Sequence, residues 1–173
     1  NRETLVSPRR AIVWQDRRTA ELVGNLRQQG IEESVREKTG LGLDPYFSSS
    51  KLLWISQKEP EIWSQVVAGQ LAVGTIDSYL VARLSGGASH ITDASNASRT
   101  QLMNINTGEW DSELLEMFNV PPSALPKIVA NYGQLAETSA VQFLGIKAPI
   151  TGMAGDQQAA LFGQAGFEAG DNK

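Results

Sequence analysis

The sequence predicts a mixed α/β fold that contains more helix than strand. The clearest helix carries an apolar stripe that ends before two glycines: Ile76, Tyr79, Leu80 and Leu84, followed by Gly86 and Gly87. Apolar runs short enough to be buried strands are fewer, and the run over residues 11–14 is the most compact of them. Because an α/β domain normally has several adjacent strands at the centre of its sheet, this shortage predicts a piece of a larger protein.

The first half of the chain predicts four helices before that stripe. Apolar residues at helical spacing predict a helix that ends at Gly30, and a short charged helix over residues 32–38 comes after it. Pro45 disfavours helix at the residue before it, so a loop comes next. Serines at 48–50 offer caps for the third helix, and Pro60 suits the first turn of the fourth.

The second half of the chain is more irregular. Residues 90–106 are rich in Thr, Ser and Asn and predict short strands and turns. Asp111 predicts the cap of a short helix over residues 113–118, and three prolines between 121 and 126 interrupt the segment after that helix. The segment APITGMAGDQQAALFGQAGF, residues 148–167, predicts a short strand, a turn bracketed by glycines and a helix of small residues.

Composition and charge exclude several classes of function. The formal net charge is -4 and the pI is near 5.0, whereas surfaces for nucleic acid or anionic lipid are rich in Lys and Arg. The chain has no cysteine, which excludes disulfides, thiolate catalysis and thiolate-bound metal. No apolar run reaches the ~20 residues of a membrane helix. No signal peptide is visible either, so a soluble, cytoplasmic protein is expected.

The common phosphate-binding, dinucleotide-binding and nucleophile motifs are missing, and no metal site is predicted. The sequence lacks a G-x-x-x-x-G-K-[ST] phosphate loop, a dinucleotide fingerprint and a nucleophile elbow. His90 has no partner at metal-ligand spacing, so a surface or core role is favoured for it.

One polar cluster stands where the predicted C-terminal strand ends and its helix begins: Asp156, Gln157 and Gln158. Asp156 is open to two interpretations. It caps the helix, or it binds a ligand at the end of a strand, where Gly152 and Gly155 allow a close approach. Gln157 adds a donor and an acceptor, which suits an alcohol because a hydroxyl needs both.

A series of segments along the chain resembles one family. In order they are RET (2–4), AIVWQDRRTAE (11–21), REKTGL (36–41), DPYFS (44–48), GTIDSYL (74–80), TDASNASRT (92–100) and GMAGDQQAALFGQ (152–164). The series resembles the glycerol kinases of the FGGY carbohydrate kinase family, which have the actin/hexokinase-like (ribonuclease H-like) ATPase fold. It covers nearly the whole chain, and WQDRRT and GDQQAALFGQ are its most specific parts.

The resemblance implies that residues 1–173 are a helix-rich part of that ATPase fold, incomplete at both ends, within the polyol-binding N-terminal domain. It implies that the full-length protein uses ATP and Mg²⁺ to phosphorylate glycerol to glycerol 3-phosphate, and that it is a homo-oligomer. The family's phosphate-binding hairpin and its C-terminal, nucleotide-binding domain match no part of this sequence. The chain alone is therefore expected to be inactive and to hold neither nucleotide nor metal.

The resemblance also implies a glycerol site made of six residues. Arg2 and Glu3 match a pair that hydrogen-bonds the glycerol hydroxyls, Trp14 a ring that packs on the carbon chain, Tyr46 a hydroxyl that closes the site, Asp156 the catalytic carboxylate and Gln157 a further glycerol contact. Family members usually carry a longer hairpin between the Arg-Glu pair and the tryptophan, whereas only residues 5–10 intervene here. Two alternatives remain, a kinase for another small polyol or sugar and a polyol-binding module without catalysis.

Overall fold

A computed structural model describes residues 1–172 of the chain. Within that range, helices hold more of the backbone than strands do, as the sequence predicts. The α-helices are α1 (Ala20–Gln28), α2 (Glu32–Thr39), α3 (Ser48–Lys58), α4 (Pro60–Val67), α5 (Ile76–Leu84), α6 (Ala94–Ala97), α7 (Ser112–Met117) and α8 (Asp156–Gly163). No helix in this part of the chain has the length and apolar character needed to cross a membrane.

The strands are short and form three separate pairs among the described residues. They are β1 (Ile91–Asp93), β2 (Met103–Asn104), β3 (Glu109–Trp110), β4 (Lys127–Val129), β5 (Tyr132–Glu137) and β6 (Pro149–Gly152). β1 lies parallel to β4, whereas β2 pairs with β3 and β5 pairs with β6 in antiparallel fashion. Strand β5 lies in a segment for which no strand is predicted from the sequence.

The predicted strand over residues 11–14 is absent, and this prediction is wrong. The segment runs irregularly into a turn at residues 14–15, and the side chains of Val13 and Trp14 are 55% and 62% exposed. An extended segment is stabilised as a strand when its N–H and C=O groups pair with a neighbour. No strand between residues 1 and 172 lies alongside this one.

The hydrophobic core is built mainly by the helices of the first 70 residues and by α7. Its members are apolar and nearly inaccessible: Val23, Leu26, Val35, Leu43, Trp63, Val66, Leu71, Leu102, Leu114, Leu115, Phe118, Val120 and Ala124. The side chain of Asp111 caps α7 by accepting from the backbone amides of Glu113 and Leu114, as predicted.

Helix α5 forms where its apolar stripe predicts, but that stripe is not the face the protein buries. Ile76 is 67% exposed and Leu80 is 50% exposed, whereas Ser78 and Val81 are buried. A polar contact attaches this helix to β1: the Thr92 hydroxyl donates to the Asp77 carboxylate over 2.6 Å. A periodic pattern thus predicts the helix without predicting which face is covered.

Candidate functional site

Trp14 and Tyr46, which are far apart in the sequence, lie side by side in the structure. Their ring centroids are 5.8 Å apart with the planes inclined at 51°. Both rings are partly open to solvent, and with Gln15, Arg17 and Asp44 they line a shallow groove of about 300 Å³. An aromatic wall beside polar side chains suits a small polyol, because its carbons need an apolar surface and its hydroxyls need hydrogen-bond partners.

The segment that carries Trp14 is held by ion pairs on either side of it. Before it, Arg9 makes a two-point contact with Glu59, at 2.7 Å and 3.1 Å. After it, Asp16 accepts from the side chain and the backbone amide of Arg18, which lower the pKa of Asp16 to about 2. The guanidinium of Arg18 also lies 4.8 Å from the ring centre of Trp54 in α3.

The loop that carries Tyr46 is held from below by Lys51. The ammonium of this buried residue donates to the backbone carbonyls of Pro45 and Tyr46, each over 2.6 Å. Burial lowers the pKa of Lys51, and the charges of Asp16 and Asp44 oppose that shift. Sequence reasoning missed Lys51, since a lysine in an amphipathic helix gives no local sign that it points inward.

Arg2 and Glu3 are bonded to other parts of the chain. The Arg2 guanidinium donates to the carbonyl of Ser123 over 2.7 Å, and its backbone amide donates to Gln70. Glu3 is exposed, and its backbone amide is bonded to the Asn1 side chain. No hydrogen bond, ion pair or ring contact among residues 1–172 joins this pair to the two rings.

Asp156 and Gln157 open helix α8, just beyond β6. The N-cap of α8 is Gly155, so Asp156 is not the cap that one interpretation of the sequence proposed. One oxygen of its exposed carboxylate accepts from the backbone amide of Gln157 over 2.9 Å. An acidic residue in the first turn is favoured by the helix dipole, and the carboxylate stays open to a ligand.

Across residues 1–172, the six predicted site residues fall into three places. Trp14 and Tyr46 form one, Arg2 and Glu3 a second, and Asp156 with Gln157 a third. No hydrogen bond, ion pair or ring contact in the described chain joins Asp156 to the other two places. No three His, Cys, Asp or Glu side chains in that part of the chain come together as a metal ion would require.

The comparisons with known proteins agree on the family. The model of the FGGY family of carbohydrate kinases, N-terminal domain, matches residues 5–163. This chain belongs to the FGGY family of carbohydrate kinases. The predicted fold class is confirmed, because the solved structures it resembles are kinases of this family with the actin-like ATPase fold.

The relatives of this FGGY chain include curated glycerol kinases. It is 55% identical to the glycerol kinase of Geobacter sp. (strain M21) over 169 residues, which are 98% of this chain and 34% of that protein. It is also 55% identical to the glycerol kinase of Gluconobacter oxydans (strain 621H), over 98% of this chain and 33% of that protein. The chain thus spans about a third of the length of these relatives.

Solved structures resemble the chain to different degrees. A crystal structure of Plasmodium falciparum glycerol kinase with ADP has a TM-score of 0.92 and 38% identity, covering 96% of this chain and 33% of the other. A xylulose kinase from Lactobacillus acidophilus has a TM-score of 0.76 and 26% identity, covering 88% of this chain and 31% of the other. The chain is therefore more similar to this glycerol kinase than to this xylulose kinase.

Proposed function

We propose that residues 1–173 supply the acceptor-binding part of an ATP-dependent glycerol kinase. The observation that carries the proposal is the 55% identity to proteins named glycerol kinase over 98% of this chain. The groove beside Trp14 and Tyr46 supports it, because a three-carbon triol needs an apolar wall together with hydrogen-bonding groups. In this proposal the full-length protein makes glycerol 3-phosphate.

The proposed reaction uses Asp156 as the group that orients the acceptor. A primary hydroxyl oxygen of glycerol forms a bond to the terminal phosphorus of ATP, and the bond from that phosphorus to the bridging oxygen breaks to release ADP. The hydroxyl proton passes to the Asp156 carboxylate. Because phosphoryl transfer proceeds through a loose transition state, holding the hydroxyl in line contributes more than strong basicity.

The other proposed residues contact different parts of glycerol. Trp14 packs against the carbon chain and Tyr46 offers its hydroxyl, while Arg2, Glu3 and Gln157 hydrogen-bond the glycerol hydroxyls when they are brought to it. ATP supplies the phosphoryl group. The part of the chain that the structure describes shows no carboxylate cluster fit for Mg²⁺, so the proposal assigns no metal ligand to it.

A coupled ADP-release assay on the full-length protein tests this function. Glycerol is expected to be the preferred acceptor over xylulose and gluconate, and Asp156→Asn to lower kcat by about 10²- to 10⁴-fold. Asp171→Asn, which removes an exposed carboxylate beyond α8, is the matched control. Preference for another acceptor would assign the protein to a different kinase of the family, and glycerol binding without turnover would indicate a binding module.

The same assay tests whether residues 1–173 are sufficient for turnover. The curated relatives are about three times longer than this chain, whose share of them is 33% to 34%. We expect residues 1–173 supplied alone to give no ADP release above background. Turnover by that piece would contradict the proposal that the nucleotide is bound by other parts of the full-length protein.

A further inference from the structure

Asp93 is a buried carboxylate that the proposed reaction does not use. It ends β1, caps α6 and has no exposed surface. One oxygen accepts from the Asn96 amide over 2.6 Å. The other accepts from the backbone amide of Ser95 over 2.7 Å, from the Ser95 hydroxyl, and from the Asn131 amide over 2.5 Å. No Lys, Arg or His in the described chain forms an ion pair with it.

Two of these partners also hold the backbone that leads to Asp156. The Ser95 hydroxyl, which donates to Asp93, accepts from the backbone amide of Gly155 over 2.7 Å. The side-chain amide of Asn131 donates to the backbone carbonyl of Met153 over 3.2 Å as well as to Asp93. In return, the backbone amide of Met153 donates to the backbone carbonyl of Asn131 over 2.9 Å. A single side chain, that of Ser95 or that of Asn131, therefore links the Asp93 carboxylate to the turn that precedes Asp156.

Helix α8 lies at the surface and starts from a buried glycine. None of its residues is buried, whereas the Gly155 that precedes it is. A β-carbon added at Gly155 would lie 3.5 Å from the carbonyl oxygen of Ser95, so the two backbones are close together. The bond from the Gly155 amide to the Ser95 hydroxyl therefore holds the residue from which α8 starts.

We infer that Asp93, acting through Ser95 and Asn131, is a positioning residue that fixes the direction of the catalytic carboxylate of Asp156. This inference rests on the proposed function. The physical reason is that an acceptor hydroxyl must be held in line with the phosphorus, and a misplacement of about 1 Å can cost on the order of 100-fold in rate. Four donors bond the Asp93 carboxylate, and hydrogen bonds to a charged group are stronger than those to a neutral one. Asp93 therefore holds Ser95 and Asn131 in place more firmly than a neutral side chain would.

The test compares two neighbouring side chains that bond the same carboxylate in the full-length protein. Ser95→Ala removes the hydroxyl that bridges Asp93 to Gly155. Asn96→Ala removes a donor to the other oxygen of Asp93, and Asn96 makes no bond to the strand–helix junction. Ser95→Thr keeps the hydroxyl and serves as the conservative variant that should restore the contact.

Two measurements are made on each variant. For Ser95→Ala we expect kcat with glycerol to fall by about 10-fold or more, with the KM for ATP unchanged within about twofold, while Asn96→Ala stays close to the unaltered protein. Hydrogen exchange is expected to speed up at the Gly155 amide and over the first turn of α8 in Ser95→Ala alone. Ser95→Thr should return both quantities toward their original values.

The two measurements separate this inference from the proposed function. If the unaltered full-length protein does not phosphorylate glycerol, the proposed function fails, and exchange at Gly155 still decides whether the tether exists. If the protein is active but Ser95→Ala and Asn96→Ala match each other in kcat and in exchange, the positioning role is overturned. Faster exchange with an unchanged kcat also overturns it, because the tether would then not govern the catalytic carboxylate.

Discussion

The ammonium of Lys51 lies 2.6 Å from the carbonyl oxygen of Tyr46 and at the same distance from that of Pro45. The loop before α3 turns these two carbonyls toward Lys51, and without that donor the buried carbonyl of Pro45 would be unpaired. Lys51 fills that need from one turn further along the chain. The ring of Tyr46 is thereby presented to Trp14 by a contact beneath the groove.

Replacing Lys51 with methionine is expected to lower the free energy of unfolding by about 1–3 kcal/mol, because the buried carbonyl of Pro45 and the partly buried carbonyl of Tyr46 lose their donor. Urea titration followed by tryptophan fluorescence measures the change. Lys58→Met is the matched control, since Lys58 is an exposed lysine at the end of the same helix, and it should stay within about 0.5 kcal/mol of the original. Equal effects of the two substitutions would remove the role assigned to Lys51.

The same lysine predicts a dependence of stability on alkaline pH. Burial lowers the pKa of Lys51 below 10.5 against the opposing charges of Asp16 and Asp44. Between that lowered pKa and 10.5 the unfolded chain binds more protons than the folded chain, so the free energy of unfolding gains a contribution that rises with pH. The difference in stability between the original protein and Lys51→Met should therefore widen as pH approaches 10.5. A difference that stays flat or narrows would contradict the assignment.

The hydroxyl of Tyr46 gives a prediction about substrate affinity. Tyr46→Phe keeps the ring beside Trp14 and removes the hydroxyl proposed to contact glycerol. In the full-length protein we expect the KM for glycerol to rise about 5- to 10-fold, as the loss of one hydrogen bond worth about 1–1.5 kcal/mol predicts. Tyr132→Phe, in an 82% exposed tyrosine of β5, is the control and should leave the KM unchanged. A rise in the KM for ATP instead would place Tyr46 elsewhere in the reaction.

Local signals predicted the helices well because each of them is encoded within a few residues. A glycine after the short charged helix ends α2 in the left-handed conformation, with Gly40 at φ 71°, and Pro60 begins α4 as expected. The strand over residues 11–14 failed because a strand needs a partner from elsewhere, and an apolar run does not say whether that partner exists. For the same reason the apolar stripe of α5 did not predict which face of the helix is buried, because the segment that covers it lies elsewhere in the chain.

The members of the candidate site come from the family resemblance and stay a prediction, and only part of their arrangement is seen. The pairing of Trp14 with Tyr46 was expected and is formed, whereas the grouping with Arg2, Glu3 and Asp156 remains a proposal. The supporting residues were not predicted at all. Lys51 and Asp93 act through contacts made after folding, and a buried charge leaves no periodic pattern in a sequence.

Asp111 is a second carboxylate held by several donors, and it links two distant helices. Its oxygens accept from the Lys38 ammonium at 2.9 Å and from the Asn104 amide at 3.0 Å, in addition to capping α7. Burial by itself would raise the pKa of Asp111, but the hydrogen bonds from Asn104 and Lys38 outweigh it and the pKa is lowered. The carboxylate therefore stabilises the fold in its charged form.

This lowered pKa predicts a loss of stability in acid. A depressed carboxyl pKa contributes stability that is present above the unfolded value of about 3.9 and is lost as pH falls through the folded value. Asp111→Asn keeps an acceptor for the start of α7 but loses the charge, so it should be less stable by about 1 kcal/mol at pH 7. The gap should narrow as pH falls below the unfolded value of about 3.9 and close as pH falls through the lower folded value, where the aspartate of the original protein is itself neutralised. Urea titrations across that range measure it, with exposed Glu109→Gln as the control. A gap that stays constant with pH would show that Asp111 acts by shape alone, and one that widens in acid would reverse the sign derived from its pKa.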